Sequence, residues 1–330
     1  MTLSEISQLF IIGLPEDNDL SVVRELAPGG VVLMGRNAGT PNETRRLTRA
    51  IREACAESGA VAPFIATDHE GGRVQRLHDG FTVFPPAREI GAHGAQSASL
   101  AGMTAAAELR DAGVNFNFAP VCDVPTHEGD TVIGNRAWSD DFIKASLLVA
   151  EYVRGAGTTV LSCAKHFPGH GGVGVDSHQG LPVFEGTRAE LSPHLGPFRA
   201  AIAAGVGAVM TGHIAVPALD ESGAPASLSA NITTKLLREE LNFRCLVVTD
   251  DLEMGALKDL DAGEVAVRAL QAGNDVLLWC HAPDKVRAAQ KAIAAALESG
   301  ELAEERVRDA LARVAWAKKK YGIVVEKKAK

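Results

Sequence analysis

Two stretches of the chain concentrate side chains able to move protons and attack carbon. The first is Lys165-His166-Phe167-Pro168-Gly169-His170-Gly171-Gly172-Val173-Gly174-Val175-Asp176-Ser177-His178, which holds four glycines, three histidines and an aspartate. Asp176 and His178 stand two apart, so in an extended segment both side chains project to one side. A carboxylate beside an imidazole fixes its tautomer and raises its pKa, giving a proton donor and acceptor that works near neutral pH. Glycine at this density permits unusual backbone geometry, so the segment can carry such a group into and out of position. The second stretch, Val247-Val248-Thr249-Asp250-Asp251-Leu252-Glu253-Met254, sets two carboxylates side by side. Successive side chains on a strand point to opposite faces, so only one of the two easily faces a substrate. An aspartate opposite a protonated donor is the pair needed to cleave an acetal, one group protonating the leaving oxygen while the other attacks the anomeric carbon.

Other chemistries fit less well. His166, His170 and His178 with Asp176 are also metal-ligand types. Their spacing is not that of a His-Glu-x-x-His helix, and the intervening Pro168 and Gly169 prevent a helix from aligning His166 with His170, so no metal is expected. The glycines do not follow the order of a phosphate loop. The bland alternative for Asp251 is a charge in the first turn of a helix.

The elements that must position these groups are legible from periodicity. Short apolar runs at Phe10-Leu14, Gly30-Met34, Phe64-Thr67, Phe116-Val121, Thr158-Ala164, Ala208-Thr211, Leu246-Thr249 and Asp275-Trp279 alternate with amphipathic helical patterns. In residues 42 to 57, for example, Leu47, Ile51, Ala54 and Cys55 share one face. Ala112-Gly113, Ala156-Gly157, Ala204-Gly205 and Ala272-Gly273 each close a helix just before a strand. Eight such βα units predict an α/β fold, a single (β/α)8 barrel over residues 1–330 that ends in a helix striped by Val307, Leu311 and Val314; an open doubly wound sheet is the alternative. In a barrel the chemistry gathers at the C-terminal ends of strands. Asp68, His69 and Glu70 end the third run, Arg136 follows the fourth, Lys165 and His166 end the fifth, and Asp250 and Asp251 end the seventh.

Composition narrows the classes. With 46% hydrophobic and 22% charged residues, the 330-residue chain has the makeup of a globular protein. Its net charge of −8 gives no support to nucleic-acid binding. Five scattered cysteines suggest neither a disulfide framework nor a thiolate zinc site, and a reducing compartment fits best. No apolar run is long enough to span a bilayer and the N-terminus has no basic region before an apolar stretch, so a cytoplasmic location without membrane contact is expected. The tail from Lys318, with six lysines against one glutamate, is read as a solvated helix end.

Ala66-Thr67-Asp68-His69-Glu70-Gly71-Gly72-Arg73-Val74-Gln75-Arg76, the Lys165 to His178 stretch and Val248-Thr249-Asp250-Asp251-Leu252-Glu253-Met254 together resemble glycoside hydrolase family 3, and within it the β-N-acetylglucosaminidases. Asn117-Phe118-Ala119-Pro120-Val121-Cys122-Asp123-Val124, Gly134-Asn135-Arg136 and Met210-Thr211-Gly212-His213-Ile214 extend the resemblance, which runs from about residue 8 to about 285. It implies Asp250 as nucleophile, His178 as acid/base, Asp176 as its partner, and Asp68, Arg76, Arg136, Lys165 and His166 as the residues holding the sugar. Many relatives place an acidic acid/base on a second α/β domain for which this chain has no room, so the histidine version is expected to be self-sufficient. The resemblance further implies a cytoplasmic role in cell-wall recycling, removing N-acetylglucosamine from 1,6-anhydro-muramoyl fragments; a monomer acting on a small saccharide or muropeptide without a cofactor is expected. Substrate-assisted hydrolysis, phosphorolysis and non-catalytic hexosamine binding are the competing readings. Trp138, beside Arg136, is the residue to watch either for stacking on a sugar face or for packing in the core.

Overall fold

The alternation of apolar runs with amphipathic segments produces eight parallel strands separated by helices. A computed structural model of the chain describes residues 1–126, 132–173 and 180–323. The barrel strands are β1 (Phe10–Gly13), β2 (Gly30–Leu33), β3 (Phe64–Thr67), β4 (Phe116–Asn117), β5 (Leu161–Phe167), β6 (Ala208–Thr211), β7 (Leu246–Asp251) and β8 (Val276–Trp279). Each pairs in parallel with its neighbours in sequence, and β8 closes on β1 with Ile11 opposite Leu278, so the sheet has no free edge. The eight predicted runs are the eight strands, and the closed barrel replaces the open-sheet alternative.

The larger helices covering the barrel are α1 (Pro41–Glu57), α2 (Ala95–Asp111), α3 (Phe142–Ala156), α4 (Leu195–Ala203), α5 (Ala262–Ala272), α6 (Pro283–Ser299) and α7 (Glu304–Lys320), with a π-helical segment at Asn231–Glu240 between β6 and β7. Their starts are written in the sequence: the Thr40 side chain accepts from the Glu43 amide while Glu43 reaches back to Thr40, closing a capping box ahead of α1. The four glycines after α2, α3, α4 and α5 all take positive φ, as expected of helix-to-strand turns.

Three apolar layers hold the assembly. Ile11, Val32, Phe64, Phe116, Met210 and Val248 belong to a buried cluster inside the barrel, which is therefore a packed core and not a pore. Two further clusters fill the space between strands and helices on opposite sides. Helices α2 and α3 cross closely because glycine stands at the contact: a Cβ on Gly102 would lie 2.2 Å from the Tyr152 carbonyl oxygen, and one on Gly155 1.9 Å from that of Ser99. That crossing fixes Tyr152, whose hydroxyl reaches Asn117 at the C-terminal end of β4. All five cysteines are free thiols. Among the described residues, no helix is long and apolar enough to cross a membrane.

The basic tail departs from expectation at its first residue. Lys318 is not solvated; it is 4% exposed, on the buried stripe of α7 with Val314 and Ala317. Its Nζ lies 3.1 Å from Gln8 Oε1 and 5.1 Å from the centroid of the Phe64 ring, at the N-terminal floor of the barrel. Lys319 and Lys320 are exposed, as read.

Candidate active site

At the opposite end, the C-terminal ends of the strands surround a cavity of about 510 Å³. Asp68, Arg76, Arg136, Lys165, His166 and Asp250 all line it, although the sequence places them between 68 and 250. Asp176 and His178 lie outside the described residues.

The wall on the β3 and β5 side is a chain of paired charges. Lys165 Nζ donates to Asp68 Oδ1 at 2.6 Å and also lies 2.6 Å from Glu70 Oε1. Arg136 grips Glu70 through both carboxylate oxygens, Nε to Oε2 and Nη2 to Oε1, each at 2.8 Å, the planar fork geometry that gives arginine directional pairing. Burial alone would push the Glu70 pKa up, but Arg136 and Lys165 hold it far below the usual carboxylate range. Burial likewise opposes charge on Lys165, and the Asp68 and Glu70 carboxylates more than offset it, so its pKa is raised. Arg76 completes the wall, with Nη2 3.6 Å from Asp68 Oδ2 and its main-chain N–H on the Asp68 carbonyl at 3.0 Å. Charged groups so fixed form a preorganised array of donors and acceptors, which suits a polyhydroxylated ligand.

A small antiparallel hairpin, His69–Gly71 with Val74–Gln75, carries Glu70, and Arg76 directly follows it. It can form because Gly71 takes φ 97°, and a side chain there would meet the Pro85 carbonyl oxygen at 2.6 Å. Asn117, at the end of β4, pins its first residue: Oδ1 accepts from the His69 N–H at 3.1 Å, and Nδ2 donates to the His69 carbonyl at 3.3 Å and to the Tyr152 hydroxyl at 3.2 Å. Through these bonds the helix crossing at Gly102 and Gly155 supports the wall.

Asp123 lies behind the cavity lining and holds two of its histidines, His166 and His170. It is fully buried and accepts from the His166 ring at Nδ1 (2.7 Å), from the His166 amide and from the His170 amide (2.6 Å). Burial raises its pKa, but His166 and His170 and these bonds bring it below the usual value, so it is an anion. A carboxylate acceptor requires hydrogen on Nδ1, which leaves His166 Nε2 for the cavity.

The adjacent carboxylates of β7 both line the cavity, yet their surroundings differ. Asp251 Oδ1 accepts from the amides of Glu253 (3.1 Å) and Cys280 (3.3 Å), while burial, Glu253 and Asp250 push its pKa up to about 6. Asp250 Oδ1 accepts only from the Asp251 amide, at 2.8 Å, among the bonds described. Burial opposes its charge, but His166, His213 and Lys165 lower its pKa below the ordinary value. Asp250 is thus the carboxylate of the pair held as the anion, with the fewer amides on it among the bonds described, a group able to attack an electrophilic carbon.

Sequence reading places Glu70 among the strand-end groups without giving it a role, and does not single out Asp123, His213 or Glu253. Each stood in a quoted motif at a strand end, and that position was the available signal. Trp138 takes the packing role: it is buried against Tyr152, with ring centroids 5.5 Å apart, and does not line the cavity. Among the described residues, no three His, Cys, Asp or Glu side chains are grouped as metal ligands.

A family model described as the glycosyl hydrolase family 3 N terminal domain matches residues 1–317. A relative from Methylobacillus flagellatus, named β-hexosaminidase, is 38% identical over 296 residues, covering 86% of this chain and 82% of its own length. Another so named, from Methylococcus capsulatus, is 39% identical over 267 residues, 78% of this chain and 77% of the relative. Among solved structures, the glycoside hydrolase family 3 β-N-acetylglucosaminidase from Paenibacillus sp. str. FPU-7 superposes with a TM-score of 0.95 at 37% identity. That match covers 100% of this chain, which spans only 64% of the Paenibacillus polypeptide. The β-N-acetylhexosaminidase from Beutenbergia cavernae gives 0.89 at 29% identity, covering 97% of this chain and 99% of that one.

Proposed function

The chain belongs to glycosyl hydrolase family 3, and from that premise we propose that it is a retaining exo-β-N-acetylhexosaminidase, releasing terminal β-linked N-acetylglucosamine from 1,6-anhydro-muropeptides of peptidoglycan. The observation that carries the reading is the ionised Asp250 facing a cavity whose other wall is the fixed array of Asp68, Arg76, Arg136, Lys165 and His166. The array holds the hydroxyls of the terminal sugar and turns its anomeric carbon toward Asp250.

In the first step an Asp250 oxygen forms a bond to the anomeric carbon as the bond to the leaving oxygen breaks, and His178 gives that oxygen its proton. In the second, His178 takes a proton from water, the water oxygen bonds to the anomeric carbon, and Asp250 leaves as a carboxylate. The assignments of His178, and of Asp176 as the anion that orients it, rest on the sequence motif. An imidazole in place of a carboxylic acid also spares Asp250 the like-charge repulsion that would raise its pKa.

A panel of chromogenic β-glycosides differing only at the 2-position tests the substrate class: preference for 2-acetamido over 2-hydroxy supports the proposal, and indifference sinks it. Products formed in phosphate buffer distinguish hydrolysis, which releases free N-acetylglucosamine, from phosphorolysis, which releases the sugar 1-phosphate. The enzyme is proposed to work as a monomer in the cytoplasm, which light scattering and cell fractionation check.

A further inference from the structure

Immediately after β6 the chain brings His213 under the β7 end, fully buried. Its Nε2 lies 2.8 Å from the main-chain carbonyl oxygen of Asp251, and its Nδ1 2.8 Å from Ser227 Oγ. A carbonyl oxygen can only accept, so Nε2 bears hydrogen and the imidazole donates to it. The ring is itself anchored on two sides. The Ser227 amide donates to the Gly212 carbonyl at 3.2 Å, and its carbonyl accepts from Asn274 Nδ2 at 2.8 Å. Asn274 Oδ1 in turn accepts from Thr211 Oγ1 at 2.7 Å. His213 is therefore tied to the end of β6 and to the approach of β8, the two strands that flank β7.

The bond on Asp251 falls at a sensitive place. The peptide that follows Asp251 is held from both faces, its oxygen by His213 and its N–H, on Leu252, by the Leu278 carbonyl at 3.0 Å. The other main-chain group of Asp251, its N–H, is the donor on Asp250 Oδ1 at 2.8 Å. Fixing the Asp251 backbone thus fixes the direction of the one hydrogen bond described for the Asp250 carboxylate.

We propose that His213 is a positioning residue: by holding the Asp251 carbonyl it orients the Asp250 carboxylate for attack on the anomeric carbon. This rests on the reading of Asp250 as nucleophile. Misplacing a reacting atom by about 1 Å from outside the reacting groups can lower turnover by about 10²-fold, so the arrangement has room to matter. His213 also faces the Asp250 charge, with Cys163, Lys165 and His166 from β5, His170 just after it, the neighbouring Asp251 and Cys280 after β8, so its loss should change the acid limb of the pH profile as well as the geometry.

The test compares wild type, Asp250→Ala, His213→Leu, His213→Gln and Ser227→Ala on a 4-nitrophenyl N-acetyl-β-glucosaminide, with thermal melts of each. His213→Leu is expected to lose about 10²-fold in kcat with KM nearly unchanged, and its acid limb in kcat/KM to move to higher pH. His213→Gln, whose amide N–H can reach the same carbonyl, should recover most of that kcat. Ser227→Ala, which removes the bond at Nδ1 without removing the ring, should lower kcat by about tenfold, and it carries the test if His213→Leu does not fold. The proposal is overturned if His213→Leu keeps near wild-type kcat, if the Leu and Gln variants fall equally with the acid limb unmoved, or if Ser227→Ala leaves kcat intact where it must stand in. Full activity in Asp250→Ala would instead remove the underlying nucleophile reading, a result distinct from each of these.

Discussion

Two lysines are buried at opposite ends of the barrel, and the chain treats them differently. Lys165, 2% exposed at the C-terminal mouth, sits between Asp68 and Glu70 at 2.6 Å from each, and its pKa is raised. Lys318, 4% exposed at the floor, has the neutral Gln8 amide and the face of Phe64 for company, and burial pushes its pKa down to about 8. Similar burial thus gives opposite shifts, and the deciding factor is whether carboxylates stand within hydrogen-bonding distance. The mouth holds full charges in fixed positions, as a site for a polar ligand requires. At the floor the stem of Lys318 covers apolar surface and the ammonium is tolerated.

The largest expected effect lies at the mouth. Lys165→Met strips the buried Glu70 and the half-buried Asp68 carboxylates of a counter-ion, so denaturant unfolding should show a loss of about 3–5 kcal/mol, along with a fall in kcat/KM of about 10²-fold or more. Undiminished stability would break the contrast, since it would make the mouth network as dispensable as the floor. An intermediate effect is expected at His69, which is 1% exposed, has no hydrogen-bond partner at either ring nitrogen among the described residues, and lies between the Phe81 and Phe84 rings. Burial, with a smaller contribution from His78, lowers its pKa from the ordinary 6.5 to about 4. The folded state therefore favours the neutral ring, and the stability it contributes is present above pH 6.5 and is lost as pH falls through 4. The loss should reach about 3 kcal/mol, and melts of His69→Phe between those limits should lack that component.

The smallest effect is at the floor, and it has the opposite sign. Lys318→Met should stabilise the fold by about 1–2 kcal/mol at neutral pH and leave kcat/KM unchanged. Because the folded-state pKa of about 8 lies below the ordinary 10.5, the burial penalty is full below pH 8 and fades as pH rises toward 10.5. The advantage of the methionine should narrow over that range, and a gap that widens there would contradict the assignment.

These residues also mark how far the sequence could be read. The strands and the closed barrel follow from apolar periodicity and the Ala-Gly punctuation, because backbone geometry imposes those patterns locally. Asp68, Arg136, Lys165, His166 and Asp250 were legible as strand-end or loop chemistry, and they meet in one cavity. The bond from Asp123 to His166 spans 43 positions and that from Glu70 to Arg136 spans 66, so no local pattern announces either. The charge of Lys318 predicts solvent, but its spacing predicts burial: four residues after Val314, it continues the stripe that buries α7. For Trp138 the sequence allows two roles, because proximity to Arg136 in sequence does not say which side of the loop faces the cavity.

The central claim is that Asp250 forms a covalent bond to the sugar. It is most directly tested by incubating the protein with an N-acetylglucosaminyl fluoride that carries fluorine at C5, which slows both steps while the fluoride leaving group favours the first. The account predicts time-dependent inactivation, an intact mass increased by one fluorinated N-acetylglucosaminyl unit, and a labelled peptide whose modified residue is Asp250. Turnover of the chromogenic glycoside with no adduct, or an adduct on Asp251 or any other residue, would contradict it.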